Sequence, residues 1–275
     1  MTIERCIEAL RPVAAALTLV VPTLVLIGSA GAAEIAPHRA LYTMSLDTTH
    51  GDAGVTGASG TMAYQWGETC DGWTVEQRYR LKMGYAESPD VSIASNFVTW
   101  EAKDALSYRF NQKETRNGTE DEEIRGTAKL DGPDKGGTAD FEKPEGKSFK
   151  LPPGMMFPSA HTIFLIDKAK AGEVFISKHI FDGATVENAV LVSAVIGPKV
   201  APDPEAAKKS PLLNRPGWRV RLAFFPADPK EEKPDYELGM LLLDNGVSKD
   251  MVIDYGDYAI HATLDDIEAL PKSGC

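Results

Sequence analysis

Much of what would mark an enzyme or a nucleic-acid protein is missing from this sequence. There is no G-x-S-x-G elbow, no H-E-x-x-H pair and no phosphate-cradling P-loop. Cysteine is rare, with three in 275 residues, which rules out a disulfide-dense scaffold. Positive charge is in deficit: 29 Lys and Arg stand against 40 Asp and Glu, for a net charge of −11. Binding to nucleic acid or to anionic lipid headgroups needs a concentrated positive surface, so the balance argues against both. Long apolar runs are absent after the first thirty or so residues, so no later segment is suited to span a bilayer. Helical periodicity is scarce as well.

What is present begins with an export signal. Arg5 and Arg11 precede and flank an apolar run over residues 13–27, and Ala30-Gly31-Ala32 supplies the small-x-small pattern that signal peptidase accepts. The expectation is a cleaved signal peptide over residues 1–32 and a mature β-rich domain over residues 33–275. Cys6 lies upstream of the apolar run rather than at the cleavage site, so no lipid anchor is expected. Cleavage removes two bases and two acids, turning 29 and 40 into 27 and 38, and the net charge stays at −11. Two cysteines then remain, Cys70 and Cys275, an even number in an oxidising compartment. A bond between them would pin the last residue of the chain to an early turn, and chain entropy puts its contribution at about 5 kcal/mol as an upper figure. Two free thiols or a metal pair are the alternatives on the residues alone.

One stretch reads as a helix. Pro152-Pro153-Gly154 breaks the preceding segment, Pro158-Ser159 offers a start with Ser159 as cap, and Ala160, Ile163, Phe164 and Ile166 recur at three- and four-residue spacing. Lys168 and Lys170 suit the negative end of the dipole, and Gly172 suits a stop.

The rest reads as strands. Tyr42, Met44 and Leu46 share one side of the first. Trp73, Val75, Tyr79, Leu81 and Met83 oppose Thr74, Glu76, Arg78, Arg80 and Lys82. Leu106, Tyr108 and Phe110 repeat the scheme, and Trp218, Val220, Leu222 and Phe224 form a later inward row. Asn117-Gly118 and Asn245-Gly246 are two-residue hairpin signals. Residues 111–130, charged and low in bulk, are expected to project from or edge the sheet. Residues 190–196 are apolar on both sides, which predicts cover on both faces. Residues 198–217 read as a loop excursion, and residues 265–270 as a last helical turn.

A dozen or more strands joined by local turns imply a mainly β fold: a long bent antiparallel sheet rolled into an open barrel around one central helix. Such a curl leaves an interior that one helix fills only in part. The remainder is a candidate apolar cavity, with Ile163, Phe164, Ile166, Trp73, Tyr79, Trp218 and Phe224 as candidate lining of cavity and helix.

Across the mature chain the sequence resembles the EipB-like family of periplasmic cell-envelope integrity proteins. The segments that carry the likeness are HRALYTMSLD, then LPPG followed by AHTIFLIDKAKAGE and VFISKHIFDG, then YELGMLLLDNGVSKDMVIDYGDYAIHATLDDIEAL, together with the terminal cysteine. The resemblance implies a β-spiral, similar in outline to the LolA and LolB lipoprotein carriers, and an intramolecular disulfide between Cys70 and Cys275. It further implies a non-enzymatic, Gram-negative periplasmic protein required for envelope integrity, without a cofactor, but names no ligand; the expectation of a lipid, lipoprotein segment or peptide comes from the candidate cavity. A monomer is expected.

Two other readings stand beside it. One is a periplasmic hydrolase using His161 or His261 with nearby acids. The other is a scaffold that a second envelope protein recognises. Asp254, Asp257, Asp265 and Asp266 lack the register and central glycine of a calcium loop, and turns or strand ends account for them. The Phe181-Asp182-Gly183 segment reads as a tight turn.

Overall fold

The computed structural model describes residues 33–50, 54–227, 230 and 232–275. The expected signal peptide, with Cys6 inside it, lies outside these described residues. Alternating side chains produce long strands from the start: β1 (His38–Thr49), β2 (Val55–Glu68), β3 (Gly72–Tyr85), β4 (Val91–Ala102), β5 (Ser107–Arg116), β6 (Thr119–Leu130), β7 (Gly137–Lys143) and β8 (Lys147–Leu151). The helix α1 (Pro158–Lys170) follows. Then come β9 (Phe175–Ile180), β10 (Val190–Val200), β11 (Gly217–Phe225), β12 (Tyr236–Leu243), β13 (Ser248–Asp254) and β14 (Tyr258–Ala269).

All fourteen strands join one antiparallel sheet in the order β8-β7-β6-β5-β4-β3-β2-β1-β14-β13-β12-β11-β10-β9. Every neighbour is next in sequence except one pair. The first strand lies beside the last, with Tyr42 opposite Leu264 and Met44 opposite Ala262. This seam joins two meanders, β1–β8 and β9–β14, into a single sheet that does not close. Its outermost strands are β8 and β9, with Met156 bridging to Ile180 of β9, and the chain passes from one to the other through α1.

Period-two burial makes the sheet two-faced. On β1, Ala40, Tyr42 and Met44 are buried while Arg39, Leu41 and Thr43 are exposed; on β11, Trp218, Val220 and Leu222 are buried while Arg219 and Arg221 are exposed. At Asn117 (φ +52°) and Gly118 (φ +80°) the chain makes the primed turn that matches strand twist. The Asn117 side-chain oxygen also accepts the Ser92 N–H at 2.9 Å.

Three expectations are corrected. The charged strands β5 and β6 are not an edge or a projection, because each is paired on both sides, β5 with β4 and β6 with β7. Residues 265–269 continue β14 instead of forming a helical turn; a register shift at Asp265 lets Leu264, opposite Tyr42, and Ile267, opposite Ala40, both face inward with exposed Asp265 and Asp266 between them, so ladder hydrogen bonds extend the strand. Only one face of β10 is covered. Val192, Ala194 and Ile196 pack toward α1, whereas Val195 on the other face stays 58% exposed.

Apolar packing falls into three clusters. One sets Leu165, Ile166 and Ala169 of α1 against β9–β12, with Trp66. A second runs along the seam, where Leu213 of the 201–216 excursion covers the outer side of β12 at Leu241 and Leu243. The third is an aromatic group of Tyr108, Phe110, Phe141, Phe157 and Phe181 beneath the start of α1, with Tyr108 and Phe157 stacked at 4.9 Å. Cys70, in the β2–β3 turn, is bonded to Cys275 with Cα atoms 5.6 Å apart, so the tail beyond β14 is tied to the body of the sheet.

Candidate functional site

The curl of the sheet brings the inner face of β2–β5 opposite the inner face of β11–β13, with α1 at one end. Between them lies a cavity of about 290 Å³, adjoined by a second compartment of about 340 Å³. The two share Tyr64, Gln77, Tyr236, Leu238, Met240 and Ser248, and so form one interior. These volumes match the lower part of the range in which small-molecule sites fall. A hollow of about 550 Å³ elsewhere is a trough among Arg78, Arg80 and Lys113 on the solvated side of the sheet.

Each lining side chain arrives by its period. On the strands, Tyr64 and Trp66, Phe97 and Thr99, Leu222 and Phe224, and Leu238, Met240 and Leu242 follow the alternation of two; on α1, His161 and Leu165 are one turn apart. The walls on β11 and β12 are mainly apolar. The polar groups gather at the start of α1.

That end is organised by Glu101, which is 1% exposed. Its carboxylate accepts the N–H groups of Ser159 at 2.7 Å and Ala160 at 2.8 Å. The helix is therefore capped from β4, not by Ser159 as its position before the apolar residues suggested; Phe157 holds the N-cap place with no side-chain bond of its own. A buried carboxylate reaches two free N–H groups where the Ser159 hydroxyl reaches neither, and it also meets the positive end of the helix. Burial nonetheless pushes the Glu101 carboxyl up to about 7, with the two N–H donors pulling the other way.

His161, one turn into the helix, is 6% exposed, and its Nε2 has no hydrogen-bond partner. Burial, helped by the Lys178 charge, lowers it to about 4, so it is a neutral imidazole at pH 7. Trp66 is 2% exposed and its indole N–H is likewise unpartnered. Both rings line the cavity. Asp182 contributes a carboxyl whose pKa burial raises; its Oδ1 accepts the Ala184 N–H at 2.9 Å and its carbonyl accepts the Tyr108 hydroxyl at 2.7 Å.

Of the residues proposed as lining, Phe224 faces the cavity and stacks on Tyr236 at 4.3 Å. Ile166 and Trp218 lie inside the packing between helix and sheet, and Ile163 and Phe164 are half-buried against it. Trp73 stands edge-on to Trp66 under the Lys103 ammonium, and the Tyr79 hydroxyl donates to Glu114 at 3.2 Å. The helix thus turns His161 and Leu165 to the cavity and Ile166 to the sheet. Gln77 was missed although it occupies the inward row of β3 between Val75 and Tyr79, where alternation alone places it. Trp66 and Glu101 fall on the same inward rows as Tyr64 and Thr99, but nothing in the sequence shows which partners they meet.

His261 sits on β14 opposite Ser45 and Val252, outside the cavity lining, so the structure does not unite it with His161. The acidic residues near the end are engaged separately: Asp254 with Arg221 and the Gly256 N–H, Asp265 with the Thr43 hydroxyl, and Asp266 with the Ile267 N–H. Among the described residues, no three His, Cys, Asp or Glu gather as a metal site.

Comparison with known proteins follows from this geometry. The sequence model of the EipB-like family matches residues 29–271. The chain is 30% identical, over 257 residues and 90% of each chain, to the cell envelope integrity protein EipB of Brucella abortus. It also matches the crystal structure of a β-barrel-like protein of a domain of unknown function from Brucella abortus, with a TM-score of 0.80 and 29% identity, covering 87% of this chain and all of that one.

Proposed function

This chain belongs to the EipB-like family, and from that premise we propose that it is an exported, non-enzymatic protein of the periplasm that supports envelope integrity by holding a hydrophobic ligand in its interior. The observation that carries the reading is the cavity between the two meanders, walled by apolar side chains and lined by Trp66 and His161, whose buried ring nitrogens have no partner among the described residues. Buried polar atoms are rarely left unpaired, because each costs about 1–3 kcal/mol. Support for export comes from Arg5, Arg11, the apolar run over residues 13–27 and Ala30-Gly31-Ala32. The Cys70–Cys275 bond suits an oxidising compartment. The named relative from Brucella abortus supplies the link to envelope integrity.

Native mass spectrometry of the protein recovered from the periplasm tests the ligand reading. The expected result is a retained, extractable hydrophobic adduct that exchanges with added acyl probes. Absence of both retention and exchange would remove the carrier function. A hydrolase built on histidine is tested separately: the purified protein is expected to leave chromogenic acyl-ester substrates intact, and turnover that His161→Ala or His261→Ala abolishes in a folded variant would revive that reading.

A further inference from the structure

A greasy cavity alone does not say what kind of head its ligand carries, but the polar end of this one does. Trp66 and His161 line it, and their ring nitrogens, like His38 Nε2 and Asn111 Oδ1 outside the lining, are buried with no partner among the described residues. The indole nitrogen is a donor only, so its partner must be an acceptor. A neutral imidazole accepts or donates at Nε2 according to its tautomer, and a hydrogen at that atom makes it a second donor. Neither group carries charge. No described residue lining either compartment is Lys or Arg, and Lys178, which acts on His161, keeps its ammonium over the Phe164 ring, 5.4 Å from the centroid. Asp182, the only acid among the described residues of the lining, already accepts the Ala184 N–H. Glu101, just behind the helix start, is occupied by two backbone donors.

An anionic head would therefore enter a buried site with no cation to meet it and two carboxyl groups nearby, at a desolvation cost that nothing on the walls offsets. A cationic head would have to displace the bonds that Asp182 already makes. An uncharged carbonyl oxygen matches what is there: it offers two lone pairs and loses little on leaving water if it is hydrogen-bonded inside.

We propose that the cavity selects an uncharged acyl ester or amide, with the chain along Leu222, Phe224, Leu238 and Met240 and the carbonyl oxygen accepting from the Trp66 indole N–H or the His161 imidazole. This deepens the carrier reading and rests on it.

The test is competition for the purified full-length mature protein, stripped of adducts, among probes of one chain length: monopalmitoylglycerol, palmitamide, palmitate, hexadecylammonium and hexadecane, at neutral pH. The ester and amide are expected to bind at least about tenfold more tightly than either charged probe. Trp66→Phe and His161→Phe each keep an aromatic ring and remove its polar nitrogen. Each is expected to weaken the ester and amide severalfold and to leave hexadecane unchanged. Palmitate or hexadecylammonium binding as well as the ester overturns the selection while leaving the carrier reading intact, as does indifference of both variants. Failure of every probe, hexadecane included, removes the carrier reading and this inference together. Should a variant not fold, the ranking of probes on the unsubstituted protein decides the matter alone.

Discussion

Glu101 and His161 lie at the same end of α1 and pull the pH dependence of stability in opposite directions. The Glu101 carboxyl, ordinarily near 4.5, is pushed up to about 7, so the folded chain holds this proton more tightly than the unfolded one. Its contribution is complete below pH 4.5 and is lost as pH rises through 7. His161, ordinarily near 6.5, is lowered to about 4, so the folded chain holds that proton less tightly. Its contribution is complete above pH 6.5 and is lost as pH falls through 4. Across the shared window the two slopes offset each other. Relative to the unsubstituted protein, Glu101→Gln should gain stability as pH rises from 4.5 to 7, and His161→Phe should lose it from 4 to 6.5, each by an amount of order 3 kcal/mol. Urea unfolding at a series of pH values measures both, and parallel curves would contradict the assignment. Gly183 makes a simpler case. Its φ of +68° and the Phe110 ring against its α-carbon leave no room for a side chain. Gly183→Ala should cost about 2 kcal/mol or more, read from the urea midpoint, with Tyr108 and Phe181 losing their packing.

At the scale of the element, α1 is held less by its own sequence than by what grips its ends. The first turn has no acidic residue and no side-chain cap of its own; Glu101 of β4 supplies the missing acceptor. Near the other end, Asp167 accepts the Ala33 N–H at 2.7 Å, fastening the segment before β1 to the last turn of the helix. A carboxylate there opposes the helix dipole, so the bond to Ala33 is what makes the position favourable. Asp167→Asn should lower stability by about 1 kcal/mol and raise amide hydrogen exchange over residues 34–36. Exchange confined to α1, with that segment unchanged, would show that the bond does not anchor it. The helix itself was legible: Pro158 at the start, periodic apolar residues and Gly172 after the end all lie where the structure places them. Which side chains it turns to the cavity was not, because Ile163, Phe164 and Ile166 are as apolar as Leu165 and only the surrounding sheet distinguishes them.

For the molecule as a whole, the disulfide and the β1–β14 seam do related work. Both join early described residues to the last ones, β1 to β14 and Cys70 to Cys275. Pairing of β1 with β14 and the Leu270 N–H to the Pro37 carbonyl, at 2.9 Å, already bring the termini together, so the Cys70–Cys275 bond closes a loop that folding has largely closed. Cys275→Ser should therefore lower stability by less than the roughly 5 kcal/mol of the chain-entropy figure, with loosening concentrated in the tail after β14. Calorimetry of the variant and of the reduced protein measures it. Intact mass should show no alkylated thiol on the mature protein until reductant is added.

The strands were the legible part of this protein because side-chain alternation is a local property. Residues two apart share a face whatever the rest of the chain does, so the inward rows of β3 and β11 and the turns at Asn117 and Asn245 stand in the sequence itself. Faces and partners are not local. Nothing in the composition of residues 111–130 distinguishes a paired strand from a free edge, and nothing near Glu101 in sequence shows the helix end it caps, fifty-eight residues away. The seam between first and last strands, the exposed side of β10 and the pair of unsatisfied nitrogens on Trp66 and His161 arise only when the sheet curls. Burial is a property of the assembled structure, and it is burial that leaves the ring nitrogens of Trp66 and His161 without a partner among the described residues.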